Sequence, residues 1–419
     1  MYQLTIAVLL IIYGVIVYRN FRLAVFLFLA VLPAYLLRLN IFGFPTTMLE
    51  LMLGIITIGW LIKLTEKKID LSFAKPWLIP FIILLIAGII GVVIAPDKMA
   101  ALGIFKAYLV EPIIFFFILY TTLKNFGDPE TALMFLGLGA LPIALFVVYQ
   151  HFTGQAIPLP WDLERRATGF FPYPNAVGLY LGPIIVLGLG ALWRSLRVQL
   201  YPQALFWLLT IGLSGAAIVF SQTEAAWVAI PIALLLSGLL FTNRKLLTLA
   251  ILIPAIILII LTPAIQSKIL LQDYSGSVRL KQWEESFNML KENWLFGAGL
   301  AGYPAALEPY HTHQEIEIFQ YPHNIILNIW TELGILGLIA AVWLAGLSLK
   351  NFRQAKKKSS SFNWLAFAAV TALLEMSIHG LVDAPFFKND LAMLTSVVFV
   401  FLAWSATEPY ADKINLEEK

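Results

Sequence analysis

The segment "IILNIWTELGILGLIAAVWLAGL" (325–347) decides the class of fold. Its one charged side chain is Glu332, and the segment exceeds the roughly 20 apolar residues that a helix needs to cross a bilayer. The whole chain is 60% hydrophobic and 13% charged, whereas soluble domains carry about 25% charged residues. We therefore predict an all-α polytopic integral membrane protein, with residues 1–419 forming a single transmembrane domain of 12 to 13 helices.

Similar apolar runs predict the other membrane spans. The predicted spans are about 4–18, 22–37, 46–64, 77–95, 103–123, 130–150, 175–193, 204–221, 224–241, 246–264, 323–348, 363–382 and 389–407. A β-barrel would instead show short alternating segments. The start of the chain, "MYQLTIAVLLIIYGVIVYRN", lacks a basic beginning and a cleavage site, so we interpret it as a retained helix rather than a signal peptide.

Composition excludes several kinds of chemistry. The chain has no cysteine, which excludes disulfides, thiolate catalysis and cysteine-bound zinc. Its net charge of +3 is too small to indicate a nucleic-acid partner.

The distribution of Lys and Arg predicts the orientation. Eighteen of the 28 basic residues fall in one set of alternate gaps between spans, which also holds the connector "KNFRQAKKKSSS" (350–361). Cytoplasmic loops carry the excess of basic residues, so this set is predicted to be cytoplasmic and the connector to contact anionic lipids. The long loop 263–322 then faces outward.

The long loop contains a predicted amphipathic helix near 278–292. Ser277 is its expected N-cap, and Leu280, Trp283, Phe287 and Leu290 form one apolar stripe suited to the outer membrane surface. Arg279 would lie in the first turn, where a cation opposes the helix dipole, so an anionic partner such as a phosphate is one explanation and contact with lipid head groups another. The glycines of "GAGLAG" (297–302) follow no predicted strand, which argues against a dinucleotide site.

Two further segments supply outward-facing candidates. In "WDLERRATGFFPYPNAVG" (161–178), the adjacent Arg165 and Arg166 could bind a phosphate bidentately or be ordinary interfacial arginines. In "HTHQEIEIFQYPHN" (311–324), the first two histidines with Glu315 or Glu317 could bind zinc, although no third histidine has helical spacing to the pair and the loop carries no further metal-ligand pattern.

His323 differs from the other histidines of that segment. Pro322 favours the first turn of a helix, which would place His323 and Asn324 at the outer end of a span, where a histidine can act as a general base near neutral pH. Glu332 would lie roughly 14 Å deeper, either in the site or simply paired or protonated inside the bundle.

Other polar residues lie in or beside predicted spans. Lys106 and Glu111 would be about 140° apart around a helix, so they need not pair. Glu224 lies at an outer turn. His379 and Asp383, four residues apart, could orient each other or share a cleft.

The segment "HNIILNIWTELGILG" (323–337) fits the pattern H-[N/S/Q]-x9-G-x-x-[G/T/Y] and resembles the O-antigen ligase and O-antigen polymerase superfamily of bacterial polytopic membrane glycosyltransferases. The segments "RATGFFPYPNAVG", "VRLKQW…NWLFGAGLAGY" and "HGLVDAPF" are similar to parts of the same family, and the resemblance runs over about residues 160–405. One departure is Glu224 in "SQTEAAW", where the family often has an arginine. The phosphate-binding role would then rest more heavily on Arg166 and Arg279.

The resemblance implies a glycosyltransferase C-like membrane fold and an inverting, metal-independent transfer that uses no cofactor. The donor would be a glycan on undecaprenyl diphosphate, and the acceptor a hydroxyl of lipid A core, another glycan or a protein, at the outer face of the bacterial cytoplasmic (inner) membrane. His323 would be the catalytic base. The substrate-binding candidates are Arg166, Arg279, Arg165, Asn324, Lys106, Glu224, Glu332 and Asp383, and no metal ligand is expected.

Two alternatives share parts of this pattern. A polysaccharide polymerase or protein O-oligosaccharyltransferase of the same superfamily would use the same donor. A secondary transporter would keep its polar residues near the middle of the membrane and often shows inverted repeats, whereas here the polar candidates lie toward the outer face and no repeat is present.

Overall fold

The computed structural model describes residues 2–41, 43–66, 74–242, 245–261, 270–358 and 362–408. Its helices are α1 (Tyr2–Arg19), α2 (Phe21–Ala30), α3 (Met48–Glu66), α4 (Lys75–Ile94), α5 (Lys98–Ile104), α6 (Glu111–Phe126), α7 (Pro129–Thr153), α8 (Asn175–Arg197), α9 (Tyr201–Phe220), α10 (Glu224–Phe241), α11 (Lys245–Leu261), α12 (Tyr274–Glu292), α13 (Tyr303–Leu307), α14 (Ile325–Lys358), α15 (Trp364–His379) and α16 (Asn389–Thr407). A π-helical turn, Phe105–Val110, joins α5 to α6, and 3-10 turns cover Leu32–Leu36 and Glu308–Tyr310.

Helices occupy all thirteen positions at which spans are predicted. Within the described residues, nine helical segments are long and apolar enough to cross a membrane, and three shorter apolar helices are Leu4–Arg19, Phe21–Ala30 and Trp364–His379. Helix α11 lies at the tenth predicted position. The predicted all-α polytopic membrane fold is confirmed.

The second predicted span ends earlier than the hydropathy indicates, and the third begins slightly later. Helix α2 ends at Ala30, and a small antiparallel hairpin follows, pairing β1 (Arg38–Ile41) with β2 (Phe44–Thr47). Proline and glycine explain the difference: Pro33 starts the 3-10 turn, and Gly43 adopts a positive φ of 88° between the strands. The apolar run up to residue 37 is therefore not one helix.

The connector 350–361 is also more ordered than the sequence indicates. Helix α14 continues to Lys358, and Asn351, Phe352 and Ala355 are buried on its inner side. Residues 359–361 lie outside the described residues, as do residues 263–269 at the start of the predicted external loop. The same is true of the basic residues Lys67, Lys68, Arg244, Lys268, Lys413 and Lys419.

Helix α14 is broken at Gly334, where φ is 63° and ψ is −163°. The backbone of residues 295–299 fills the break: Leu295 O accepts from Ile335 N at 3.0 Å, and Ala298 N donates to Thr331 O at 2.7 Å. A Cβ at Gly334 would lie 2.4 Å from Leu295 O. The glycine thus permits a close contact between a loop and a helix.

Helices α8 and α16 form the centre of the bundle. Nearly every residue of α16 is buried, as expected for a helix that is apolar on all sides. Helix α16 packs against α6, α14 and α15, and α8 packs against α9 and α15.

The opposite ends of the bundle differ in character. The Lys356 end, as we name it, carries the C-terminal ends of α8, α10, α14 and α16: Lys356 Nζ donates to Phe241 O at 3.0 Å and Lys358 Nζ to Thr407 O at 3.3 Å. The His323 end carries the N-terminal ends of the same four helices, and the candidate site lies there.

Candidate active site

Several chain segments meet at the His323 end. Ala167 N donates to Phe220 O at 3.2 Å, and Thr223 Oγ1 donates to Pro174 O at 3.1 Å, so the segment before α8 is joined to the turn between α9 and α10. Ile325 N donates to Gly380 O at 2.6 Å, which joins the start of α14 to the end of α15. Residues distant in sequence are therefore brought to one place.

Arg166 is held at this meeting point by weak contacts. Its Nη2 lies 3.3 Å from Asn175 Oδ1 and 3.4 Å from Gln222 O, and its Nε lies 3.4 Å from Ser221 O. The guanidinium also lies over the ring of Trp161, 5.1 Å from its centroid. These long hydrogen bonds orient the group while leaving it able to bind an anion.

Asp383 extends the network from Arg166 toward His323. Its Oδ2 accepts from Asn175 Nδ2 at 3.2 Å and its Oδ1 accepts from Ala384 N at 2.8 Å, and the residue is buried. Asn175 therefore bridges Arg166 and Asp383. Sequence reasoning missed Asn175, although its position just after Pro174 at the start of an apolar helix was a signal for it.

His379 and Asp383 do not share one helical face, so the first of the two predicted alternatives, that they orient each other, is wrong. Helix α15 ends at His379, so Asp383 lies in the following loop. His379 is instead buried beside Glu375, with Nδ1 3.5 Å from Oε1. Asp383 lies in the polar cluster, whereas His379 lies in the bundle interior.

Arg279 reaches the same loop from α12. Its Nε donates to Val382 O at 3.0 Å and its Nη1 donates to Ser275 Oγ at 2.7 Å. Helix α12 begins at Tyr274, with Asp273 as its N-cap rather than Ser277. Arg279 therefore lies in the second turn, and the predicted conflict with the helix dipole, which acts mainly in the first turn, disappears.

The apolar stripe of α12 divides between two environments. Trp283 and Leu290 pack in a small core with Tyr303 and Leu327, whereas Leu280 and Phe287 are 46% and 51% exposed. Only part of the predicted stripe is thus available for a membrane surface.

His323 lies immediately before α14 rather than in its first turn. The helix begins at Ile325, so Pro322 is also outside it. His323 has a positive φ of 45°, and its ring lies 4.6 Å from that of Tyr321 and 5.2 Å from that of Phe319, measured between centroids. Such a backbone conformation is uncommon for a residue with a side chain and is often found at functional sites.

Helix α12 and Asn324 fix the backbone around His323. Trp283 Nε1 donates to Pro322 O at 2.8 Å. Asn324 Oδ1 accepts from Ile326 N at 3.0 Å, and its Nδ2 donates to Leu381 O at 2.9 Å. Asn324 therefore caps α14 and ties it to the loop of Asp383, so both polar groups of its amide are used within the protein.

The charges of the site act on one another. Burial lowers the pKa of His323; the Asp383 carboxylate opposes this effect and the Arg279 guanidinium adds to it. Burial also lowers the pKa of Arg166, where the Glu164 carboxylate opposes the effect and Arg279 adds to it. Burial thus favours the neutral form of the imidazole, and the two like-charged guanidiniums near it form an arrangement that an anionic ligand would stabilise.

Other predicted residues lie apart from this cluster. Arg165 has a positive φ of 52°, is exposed and turns its guanidinium over Gly154. Lys106 Nζ binds Glu50 Oε2 at 2.8 Å. Glu332 is buried and accepts from Ala301 N at 2.8 Å.

Glu224 lies closer to the cluster. It begins α10, two residues after the Gln222 carbonyl that Arg166 contacts.

His311 and His313 serve the loop before His323. Buried Glu285 accepts from the backbone N–H groups of Thr312 and His313, both at 2.8 Å, and lies 3.1 Å from His311 Nδ1. His313 lies 3.4 Å from Glu315. Across the described ranges, no three His, Asp or Glu side chains are arranged to hold a metal ion.

Residues 209–342 match the family model described as O-antigen ligase. This match, which covers about a third of the chain, supports the O-antigen ligase superfamily. The resemblance predicted from "HNIILNIWTELGILG" is confirmed, and it indicates a glycosyltransferase-like enzyme. No curated protein matches the chain.

The matched segment contains Glu224, Arg279, His323, Asn324 and Glu332. Arg166 and Asp383, which belong to the polar cluster, lie outside it. The structure joins the O-antigen ligase segment to these flanking residues through Asn324, which binds Leu381 O, and Arg279, which binds Val382 O.

Proposed function

We propose that this protein transfers a glycan from undecaprenyl diphosphate to an acceptor hydroxyl at the outer face of the bacterial cytoplasmic membrane. The observation that carries the proposal is the convergence of Arg166, Arg279, Asp383 and His323 at one end of the bundle. A lipid-linked donor carries its diphosphate at the membrane surface, where the ends of the spans would lie. A water-soluble or lipid-linked acceptor can meet it there.

The arginines would bind the diphosphate of the donor. Negative charge develops on the leaving diphosphate as the glycosidic bond breaks, and preorganised donors stabilise such charge without reorganisation. The N-terminal ends of α8, α10, α14 and α16 add positive potential at the same end. In this proposal the guanidiniums and helix ends perform the task for which other enzymes use a metal ion.

His323 would remove the proton of the acceptor hydroxyl. Burial lowers the pKa of its imidazole and so favours the neutral form, which is the form that accepts a proton. The Asp383 carboxylate would stabilise the imidazolium that forms. Direct attack of the hydroxyl on the anomeric carbon would invert its configuration.

The location of the cluster favours this chemistry over secondary transport. Transporters bind substrates near the middle of the membrane, whereas His323 precedes α14 and Asp383 follows α15. Donor use would be the same for a ligase, a polysaccharide polymerase and a protein O-oligosaccharyltransferase, which differ in the acceptor.

Substitution of His323 tests the proposal. Transfer by purified His323→Ala protein should fall by roughly 10²- to 10⁴-fold, as is typical when a general base is lost, while donor binding remains. His311→Ala and His313→Ala are matched controls from the same loop and should have much smaller effects. Near-normal transfer by His323→Ala would overturn the assignment, and loss of wild-type transfer with a chelator would overturn metal independence.

A further inference from the structure

Lys388 has a buried side-chain amine to which the proposed mechanism assigns no role. Its Nζ is buried and has no hydrogen-bond partner in the described part of the chain. The ammonium lies 3.9 Å from the ring centroid of Tyr173 and 5.7 Å from that of Tyr321. Across the described ranges, no carboxylate lies within 4.0 Å of it.

The position of Lys388 connects it to the candidate active site. Tyr321, one of its two aromatic neighbours, has its ring 4.6 Å from that of His323. Tyr173, the other, belongs to the segment that carries Arg166 and Asn175. Lys388 also ends the loop that begins with Asp383 and is the N-cap residue of α16. It therefore shares its aromatic neighbours and its loop with the site.

A buried ammonium without an acceptor is unfavourable in a protein of this kind. The three N–H donors of lysine lose their water on burial, and aromatic faces compensate only part of that loss. Burial accordingly lowers the pKa of Lys388 to about 7, an effect that the Asp390 carboxylate opposes. A lysine that only packed in the bundle would reach water or bind a carboxylate. Lys388 does neither, which leaves its N–H groups available to an anionic ligand.

We propose that Lys388 is a third phosphate-binding cation, which binds one phosphate of a lipid diphosphate while Arg166 and Arg279 bind the other. This inference rests on the proposed function and deepens it. A diphosphate has two charged groups, and the site offers cations in two places. The arginines lie near Asp383, and Lys388 lies against the rings of Tyr173 and Tyr321. Lys388 would thereby distinguish a diphosphate from a monophosphate.

The test compares the binding of undecaprenyl diphosphate and undecaprenyl monophosphate to the full-length protein in detergent micelles. Wild-type protein should prefer the diphosphate. Lys388→Met keeps the length of the side chain and removes the charge, so the preference should fall by roughly 10- to 100-fold, the effect of losing one hydrogen bond to a charged group. Lys388→Arg should retain most of the preference.

The thermal unfolding midpoint separates this role from a structural one. Replacing an unpaired buried charge by an apolar side chain of similar size should leave the midpoint of Lys388→Met unchanged or raise it. Lys281→Met is a matched control, because Lys281 binds Glu315 on the surface, and it should keep the wild-type preference.

The outcomes distinguish this inference from the proposed function. Wild-type selectivity in Lys388→Met, or equal binding of the two lipids by wild-type protein, would overturn the role of Lys388 while leaving glycan transfer and its dependence on His323 unaffected. If both Lys388 variants lost selectivity and also unfolded at a lower temperature than wild type, that result would also overturn the role of Lys388. Normal transfer by His323→Ala would instead overturn the proposed function.

Discussion

Arg165 and Arg166 provide an internal test of the phosphate-binding proposal, because the chain places two identical side chains side by side and directs only one toward the site. Three N–H groups of Arg166 point at neutral oxygens 3.3 to 3.4 Å away, which is long for a hydrogen bond. Their loss in Arg166→Ala should therefore cost only about 1 kcal/mol of folding free energy.

The effect of Arg166→Ala on transfer should be much larger. The two N–H groups of Nη1 have no acceptor among the described residues, so they are available to a phosphate. A hydrogen bond to a charged group contributes about 1.5–3 kcal/mol, and two of them correspond to a roughly 10²- to 10⁴-fold loss in kcat/KM for the donor. Arg166→Lys should recover only part, because lysine lacks the planar fork.

The assay is glycan transfer by purified protein at limiting donor concentration, with the thermal unfolding midpoint measured in parallel. Arg165→Ala is the matched control, since the Arg165 side chain is exposed and lies over Gly154, and its transfer rate should stay within about 2-fold of wild type. Equal losses in the two alanine variants, or wild-type transfer by Arg166→Ala, would refute the reasoning.

Three further predictions concern stability, pH dependence and orientation. Gly334→Ala should destabilise the protein by about 1–3 kcal/mol or more, because its backbone conformation is essentially restricted to glycine, whereas Gly346→Ala, with open space around it, should be neutral or stabilising in thermal unfolding. Because burial lowers the pKa of His323, the transfer rate should fall to half of its neutral-pH value only below pH ~6.5, the ordinary pKa of histidine; a half-maximal rate above that pH would contradict the lowered pKa. In intact cells, an impermeant thiol reagent should label a cysteine at Gln272 but not one at Ser359, and the reverse pattern would exclude the predicted orientation.

Hydropathy was sufficient to predict the positions of the helices, because apolar length is the main requirement for crossing a membrane. It could not predict how the helices end. The apolar run 22–37 is helical only to Ala30, and the hydropathy of 323–348 gives no sign of the break at Gly334. The end of α2 depends on Pro33 and on the hairpin turn at Gly43, and the break at Gly334 depends on the distant backbone of residues 295–299.

The candidate site could be predicted only in part. His323 and Arg279 follow recognisable patterns, and the structure brings them near Asp383 and Arg166. The side chains of Arg165 and Arg166 point to different places, and Arg165 has a positive φ. The sequence of the dipeptide does not reveal this backbone conformation. Lys388 escaped notice because a single lysine at the start of an apolar helix is usually an interfacial anchor, and only its burial distinguishes it.

The break in α14 has a mechanical consequence for His323. Residues 325–333 form a short helix secured at both ends, by Gly380 O at its start and by the 295–299 backbone at Gly334. The remaining part, 335–358, is the long apolar segment that must adapt to the thickness of the bilayer. A rigid span would transmit every change in tilt to the residue at its tip. The break at Gly334 separates the two parts, and the 295–299 backbone holds both sides of it through Thr331 O and Ile335 N, so we expect membranes of different acyl-chain length to alter the inclination of the long segment more than the position of the imidazole.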